Sequence, residues 1–210
     1  MKYRGMIFDF DGTLAATLRE TRRIFNEIAP DYGIRPVGEE EIDMLRHLSL
    51  RELLDHLRIP KRRVPLLIAR GTRMMRAKIA TLPMIPGMAD VVRTLRDRCE
   101  CMGILTSNAS SNVEAFLDAH GLLDHFDFIS STSKLTGKSR HLKAICKTFS
   151  LNHNEILYVG DELRDLKAAR KAGVPMAAVT WGFNSRKSLA AENPDYLIER
   201  PDEFLRILDR

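Results

Sequence analysis

Apolar positions divide the chain into two unlike stretches. Residues 3–9, Tyr-Arg-Gly-Met-Ile-Phe-Asp, read as a short strand running into a turn at Asp11-Gly12. From about Leu14 to Thr81 no strand pattern follows. Ile42, Leu45 and Leu48, then Leu50, Leu53, Leu54 and Leu57, recur at helical spacing, with breaks at Pro30, Gly33–Pro36, Pro60 and the Pro83/Pro86-Gly87 pair. Beyond Pro86 short apolar runs alternate with helical segments. The pattern predicts a helix near 88–98, a strand at 102–106, a helix at 111–119 and a strand at 126–130. It continues with a helix at 141–149, a strand at 155–160, a helix at 163–172 and a strand at 176–180. A strand at 195–198 and a helix after Pro201-Asp202 end the series. Such alternation predicts an α/β fold, a Rossmann-like parallel sheet covered by helices on both faces. The first strand completes the same sheet. Residues 1–14 and 83–210 then form the core domain, and residues 15–82 form a small α-helical domain inserted after the first strand.

Composition narrows the class. The 210 residues are 44% hydrophobic and 29% charged, as in a folded globular chain rather than a low-complexity one. No apolar run approaches the ~20 residues of a membrane span. The opening segment meets Asp9 and Asp11 before any long apolar stretch, so neither a signal peptide nor a membrane partner is expected. Cys99, Cys101 and Cys146 are an odd, sparse set, which points to a reducing cytoplasm and to packing rather than a metal pair. Charge is uneven. Between Arg46 and Lys78 ten Lys/Arg face only Glu52 and Asp55, a net +8, which leaves −3 for the remainder of a chain at +5. A basic surface attracts anions, but no aromatic platform stands among Arg70, Arg73 and Arg76 to stack bases, which argues against nucleic acid.

In an open parallel sheet, ligands sit beyond the carboxyl ends of the strands. Three of the expected ends carry reactive groups: Asp9-Phe10-Asp11-Gly12-Thr13, Thr106-Ser107-Asn108, and Gly160-Asp161-Glu162 with Asp165 four residues after Asp161. Lys138, expected in a loop after Gly137, adds a compact positive charge suited to phosphate. Lys134 is the competing lysine, without a directly following helix. Carboxylates converging on one edge repel unless a cation sits among them, and hard oxygen donors favour Mg²⁺. Of Asp9 and Asp11, one can serve as nucleophile and the other as general acid/base.

At these residues the sequence resembles the haloacid dehalogenase superfamily. The matching stretches are Phe8-Asp9-Phe10-Asp11-Gly12-Thr13-Leu14, the apolar run into Thr106, Lys138, and Gly160-Asp161-Glu162-Leu163-Arg164-Asp165. A helical insertion after the first motif is the arrangement of its phosphoglycolate phosphatase-like and β-phosphoglucomutase-like members. Thr180–Asn184 and Asn193–Ile198 resemble the former. The resemblance implies a Mg²⁺-dependent phosphatase of small phosphorylated metabolites. Asp9 would form an aspartyl phosphate and Asp11 would act as acid and then base. Thr106 and Lys138 would hold phosphate oxygens, with Gly12, Ser107 and Asn108 in the substrate pocket. Asp9, the Asp11 carbonyl and Asp161 would hold the metal. Asp165 would serve through water or by orienting Lys138. The insertion would act as a cap, with Arg46 and His47 in its selector loop and Thr17, Trp181 and Phe183 at the pocket edge. The alternatives are a sugar phosphomutase of the β-phosphoglucomutase type, disfavoured by Leu50 standing where a phosphate-gripping Arg would be, and an idle binding protein, whose mark would be loss of a motif residue.

Overall fold

The computed structural model describes residues 3–132 and 137–208. Six strands form one sheet in the order β3-β2-β1-β4-β5-β6, parallel throughout. They are β1 (Gly5–Phe8), β2 (Cys101–Thr106), β3 (Phe128–Ser131), β4 (Ile156–Gly160), β5 (Met176–Val179) and β6 (Tyr196–Ile198). β1 lies centrally, with Gly5 in register with Cys101 on one side and Ile156 on the other. Its alternation explains why both faces are covered. Met6 and Phe8 enter one apolar layer with helices α5 (Met88–Arg96), α6 (Ser110–Ala119) and α10 (Glu203–Leu208). Ile7 enters the other, with α7 (Lys138–Thr148), α8 (Leu163–Ala172) and α9 (Arg186–Ala191).

Between β1 and α5 run α1 (Leu18–Ile28), α2 (Ile42–Leu45), α3 (Leu50–His56) and α4 (Val64–Arg76). They bury a cluster of their own that includes Ile28, Ile34, Val37, Leu57 and Leu67. Ser49 and Glu52 close a capping box at the start of α3. Ile79 and Leu82, just before the return to the sheet, pack in the sheet-side cluster instead. The chain leaves and re-enters the sheet region as neighbours: Ala15 forms an antiparallel bridge with Met84, the Ala16 N–H donates to the Pro83 carbonyl at 2.9 Å, and the Ile85 N–H donates to Leu14 at 2.8 Å.

The strands fall within a few residues of their expected places. Two helices differ. α7 starts at Lys138, three residues earlier than its apolar spacing indicates, so Lys138 is the first residue of a helix and not part of a loop. Lys138 and Ser139 are polar but buried, and carry no hydrophobic signal. α9 has Leu189 as its only fully buried side chain, which left nothing periodic to read.

Candidate active site

β1, β2 and β4 end at the same edge, where the strand order reverses about β1. Asp9 follows β1, and its N–H donates to the Val159 carbonyl at 2.7 Å. Its side chain is 2% exposed. Oδ1 accepts from the Phe10 N–H at 2.8 Å, and Oδ2 lies 2.7 Å from Lys138 Nζ. The same ammonium reaches Asp165 Oδ1 at 2.7 Å, which also accepts from the Tyr158 hydroxyl at 3.1 Å. Lys138 thus bridges a carboxylate just after β1 and one in the first turn of α8. Lys134 lies outside the described residues.

Burial sets the proton affinities here. It raises the Asp9 pKa to about 7, against the pull of Lys138. Burial also opposes the charged form of Asp165, yet Lys138 and Arg164 outweigh it and hold that pKa low. Desolvation works against the Lys138 ammonium, but Asp165 and Asp9 keep its pKa above the ordinary value. Asp11 is half-buried at the turn after β1. Desolvation raises its pKa, while the Asn108 amide, donating to its Oδ2 at 3.1 Å, opposes the rise. Asn108 is held by its own contacts: its N–H donates to Thr106 Oγ1 at 2.9 Å, and its carbonyl accepts from Ser131 Oγ at 2.6 Å. Thr106 is fully buried and Ser107 half-buried. The Gly12 N–H is spent on the Ala15 carbonyl at 2.9 Å rather than directed outward.

Asp161 is fully buried, and burial drives its pKa well above the carboxylate range. Its Oδ1 accepts from Thr13 Oγ1 at 2.9 Å and its Oδ2 from the Phe183 N–H at 2.6 Å. Two glycines permit this seat. Gly12 has φ +77°, and a Cβ there would stand 2.3 Å from Asp161 Oδ2; a Cβ on Gly182 would stand 2.1 Å from the same oxygen.

Asp9, Glu162 and Asp165 each place a carboxylate oxygen within 4.8 Å of the other two, all among the described residues. Glu162, named beside Asp161 at the end of the expected strand, carried no assigned role from the sequence. It pairs with Arg164. The edge therefore gathers Asp9, Asp11, Asp161, Glu162 and Asp165 around two cations, Lys138 and Arg164. An excess of buried, hard oxygen donors fits a divalent cation.

The insertion meets this edge through Arg46 and His47. Arg46 Nε donates to the Gly182 carbonyl at 2.9 Å and Nη2 to the Thr180 carbonyl at 2.6 Å. Its own carbonyl accepts from the Ser185 N–H at 2.8 Å and from Asn184 Nδ2 at 3.1 Å. His47 Nδ1 pairs with Ser185 Oγ. Both side chains are thus engaged with the segment after β5. Trp181 Nε1 donates to the Thr13 carbonyl at 3.2 Å, and Thr17 is fully buried with its side chain toward Asp11. Arg70 pairs with Asp31 at 2.5 Å, so part of the basic stretch is neutralised within the insertion.

Residues 6–179 match the model of the haloacid dehalogenase-like hydrolases. A phosphoglycolate phosphatase of Synechococcus elongatus is 38% identical over 203 residues, covering 97% of this chain and 96% of the relative. Among solved structures, a haloacid dehalogenase-like hydrolase from Streptococcus pneumoniae superposes with TM-score 0.83 at 22% identity, covering 98% of each chain. A putative phosphoglycolate phosphatase from Lactobacillus plantarum gives 0.83 at 19%, covering 98% of this chain and 99% of that one. At these identities the two structures speak for the fold.

Proposed function

The chain belongs to the haloacid dehalogenase-like hydrolases, and we propose that it is a Mg²⁺-dependent phosphatase acting on a small phosphomonoester of the phosphoglycolate kind. The observation that carries this reading is the pairing of Asp9 with Lys138 at 2.7 Å, beside a second, separately held carboxyl on Asp11. The substrate class follows the name of the relative from Synechococcus elongatus.

Asp9 is the nucleophile. Lys138 keeps part of its charge compensated and offers donors to the phosphoryl oxygens, as Thr106 Oγ1 does from the end of β2. Positioning and neutralisation of those oxygens supply most of the acceleration in phosphoryl transfer. Attack of an Asp9 oxygen on phosphorus forms the aspartyl phosphate and breaks the bond to the leaving oxygen. The leaving oxygen takes the proton of Asp11, whose raised pKa suits an acid. Asp11 then removes a proton from the water that hydrolyses the acyl phosphate, and Asn108 fixes its orientation in both steps. Mg²⁺, held by Asp9, the Asp11 carbonyl and Asp161, would supply neutralisation of the phosphoryl charge. Residues 15–82 form a cap that excludes water from the reacting groups, which agrees with an Asp9 that is 2% exposed.

The test is para-nitrophenyl phosphate hydrolysis with Mg²⁺ and with excess EDTA, for the native protein and for Asp9→Asn, followed by a panel of phosphorylated metabolites that includes phosphoglycolate. Metal-dependent turnover lost in Asp9→Asn is the expected result. Turnover within tenfold of the native protein in that variant removes Asp9 as nucleophile. Conversion of glucose 1-phosphate to glucose 6-phosphate replaces the phosphatase reading with the mutase one.

A further inference from the structure

The Arg46 contact falls on a peptide group that also serves Asp161. Gly182 C=O and Phe183 N–H belong to one peptide unit. Its carbonyl accepts from Arg46 Nε at 2.9 Å, and its N–H donates to Asp161 Oδ2 at 2.6 Å. No cis peptide occurs among the described residues, so the two dipole ends point oppositely. A guanidinium from the insertion and a buried carboxylate from β4 therefore hold opposite ends of one dipole. A cation on the carbonyl polarises the N–H and strengthens its bond to the carboxylate. The second arm of Arg46, on Thr180, prevents the segment from swivelling. The space is tight as well, since Gly182 approaches Asp161 too closely for any side chain.

We propose that Arg46 is a positioning residue: through the Gly182–Phe183 peptide it fixes the carboxylate of Asp161, so that closure of the insertion and assembly of the acidic edge are one event. This differs from a role in gripping the substrate, because the guanidinium is directed to backbone carbonyls of the sheet domain. When the insertion swings away, Arg46 leaves both carbonyls, and the Phe183 N–H loses its anchor. Asp161 then sits in its competent orientation mainly in the closed state. The proposal rests on the reading of Asp161 as part of the active site, and its test separates the two.

Trp181 is the only tryptophan of the sequence and adjoins the clasped peptide, so its fluorescence reports on this segment alone. Arg46→Ala, Arg46→Lys and the control Arg70→Ala are compared by acrylamide quenching of Trp181, by Mn²⁺ titration followed by electron paramagnetic resonance, and by para-nitrophenyl phosphate kinetics. Arg46→Ala is expected to raise quenching and to weaken Mn²⁺ binding by about tenfold or more, the loss of a charge-assisted bond. It should lower kcat for para-nitrophenyl phosphate with little change in KM. Arg46→Lys should fall between, since an ammonium lacks the fork that spans two carbonyls, and this milder variant carries the test if the alanine form does not fold. Arg70→Ala, which removes a cation paired with Asp31 inside the insertion, should stay near the native protein. Unchanged quenching and Mn²⁺ affinity in both Arg46 variants overturns the proposal. So does a defect confined to substrates with a second anionic group, which would return Arg46 to substrate selection. If the native protein hydrolyses no phosphomonoester while Arg46→Ala still loosens Trp181 and Mn²⁺ binding, the phosphatase reading fails and the clasp stands.

Discussion

Replacing Lys138 with methionine is the most informative single change to the acidic edge. The ammonium is 3% exposed and lies 2.7 Å from both Asp9 and Asp165. Methionine fills similar volume but leaves two buried carboxyls facing each other without their cation. Removing one partner of a buried ion pair costs ~3–5 kcal/mol. For a domain of this size that is a fall in Tm of ~6–20 °C. The pH dependence discriminates further. In the native protein Asp9 titrates near pH 7, so its contribution is complete below the unfolded value near 4 and is lost as pH rises through 7. Asp165 behaves oppositely: its depressed pKa contributes above about pH 4 and that contribution is lost as pH falls below it. Without Lys138 both carboxyls rise, and at low pH both can simply be protonated. The deficit of Lys138→Met should therefore be small near pH 5 and grow toward pH 8. Urea unfolding at the two pH values, with excess chelator so that no divalent cation substitutes for the lysine, measures it. A deficit below ~1 kcal/mol at pH 8, or one that does not grow with pH, refutes the bridging role.

Other changes probe separate parts of the site. Gly182→Ala forces a Cβ to within 2.1 Å of Asp161 Oδ2; a loss of ~1–3 kcal/mol in stability and a kcat effect exceeding the KM effect are expected, and native kcat would show that the approach is not needed. Asp11→Asn keeps the shape but removes the proton carrier, so steady-state turnover should fall ~10²-fold or more in stopped-flow assays; near-native rates would reassign the acid. Burial raises the thiol of Cys99 to about 11 and that of Cys101 to about 12, and Cys146 is raised too. At pH 8 dithionitrobenzoate should therefore leave all three slow to react until denaturant is added, and one fast thiol in the native protein would contradict this packing.

The sheet was legible because its strands are short apolar runs with chemistry at their ends. Asp9, Asp161 and Asp165 were placed by that logic alone, since a parallel sheet delivers the carboxyl ends of its central strands to one edge. What could not be read depends on contacts far apart in sequence. Nothing local to Arg46 indicates that its donors end on Thr180 and Gly182, and a basic run invites a substrate-binding interpretation. Lys138 could be assigned as the cation but not as the first residue of α7, because a helix that begins with buried polar groups has no apolar period there. Glu162 was given no role because Asp161 beside it took the expected one, whereas the structure sets Glu162 in the acidic triad with Asp9 and Asp165. Helix α9 lacked a hydrophobic stripe, for it holds on mainly through Leu189 and the Ser185 cap.

The paired crossing at Ala15 and Met84 has a consequence for how such a protein changes over time. Antiparallel neighbours sit about 5 Å apart, so whatever chain is spliced between them starts and finishes at nearly the same point. The entropy of closing a loop rises only with the logarithm of its length, about 0.6 kcal/mol for each doubling. A longer, shorter or wholly unrelated insertion can therefore be exchanged at this junction while the strands that carry the acidic edge keep their register. The constraint on such an exchange lies at the far end of the graft, where the incoming segment must present a donor to the Gly182 carbonyl or leave Asp161 without its anchor. Recombination at the junction would thus supply new selectivity freely, and the distant peptide would decide which grafts remain active.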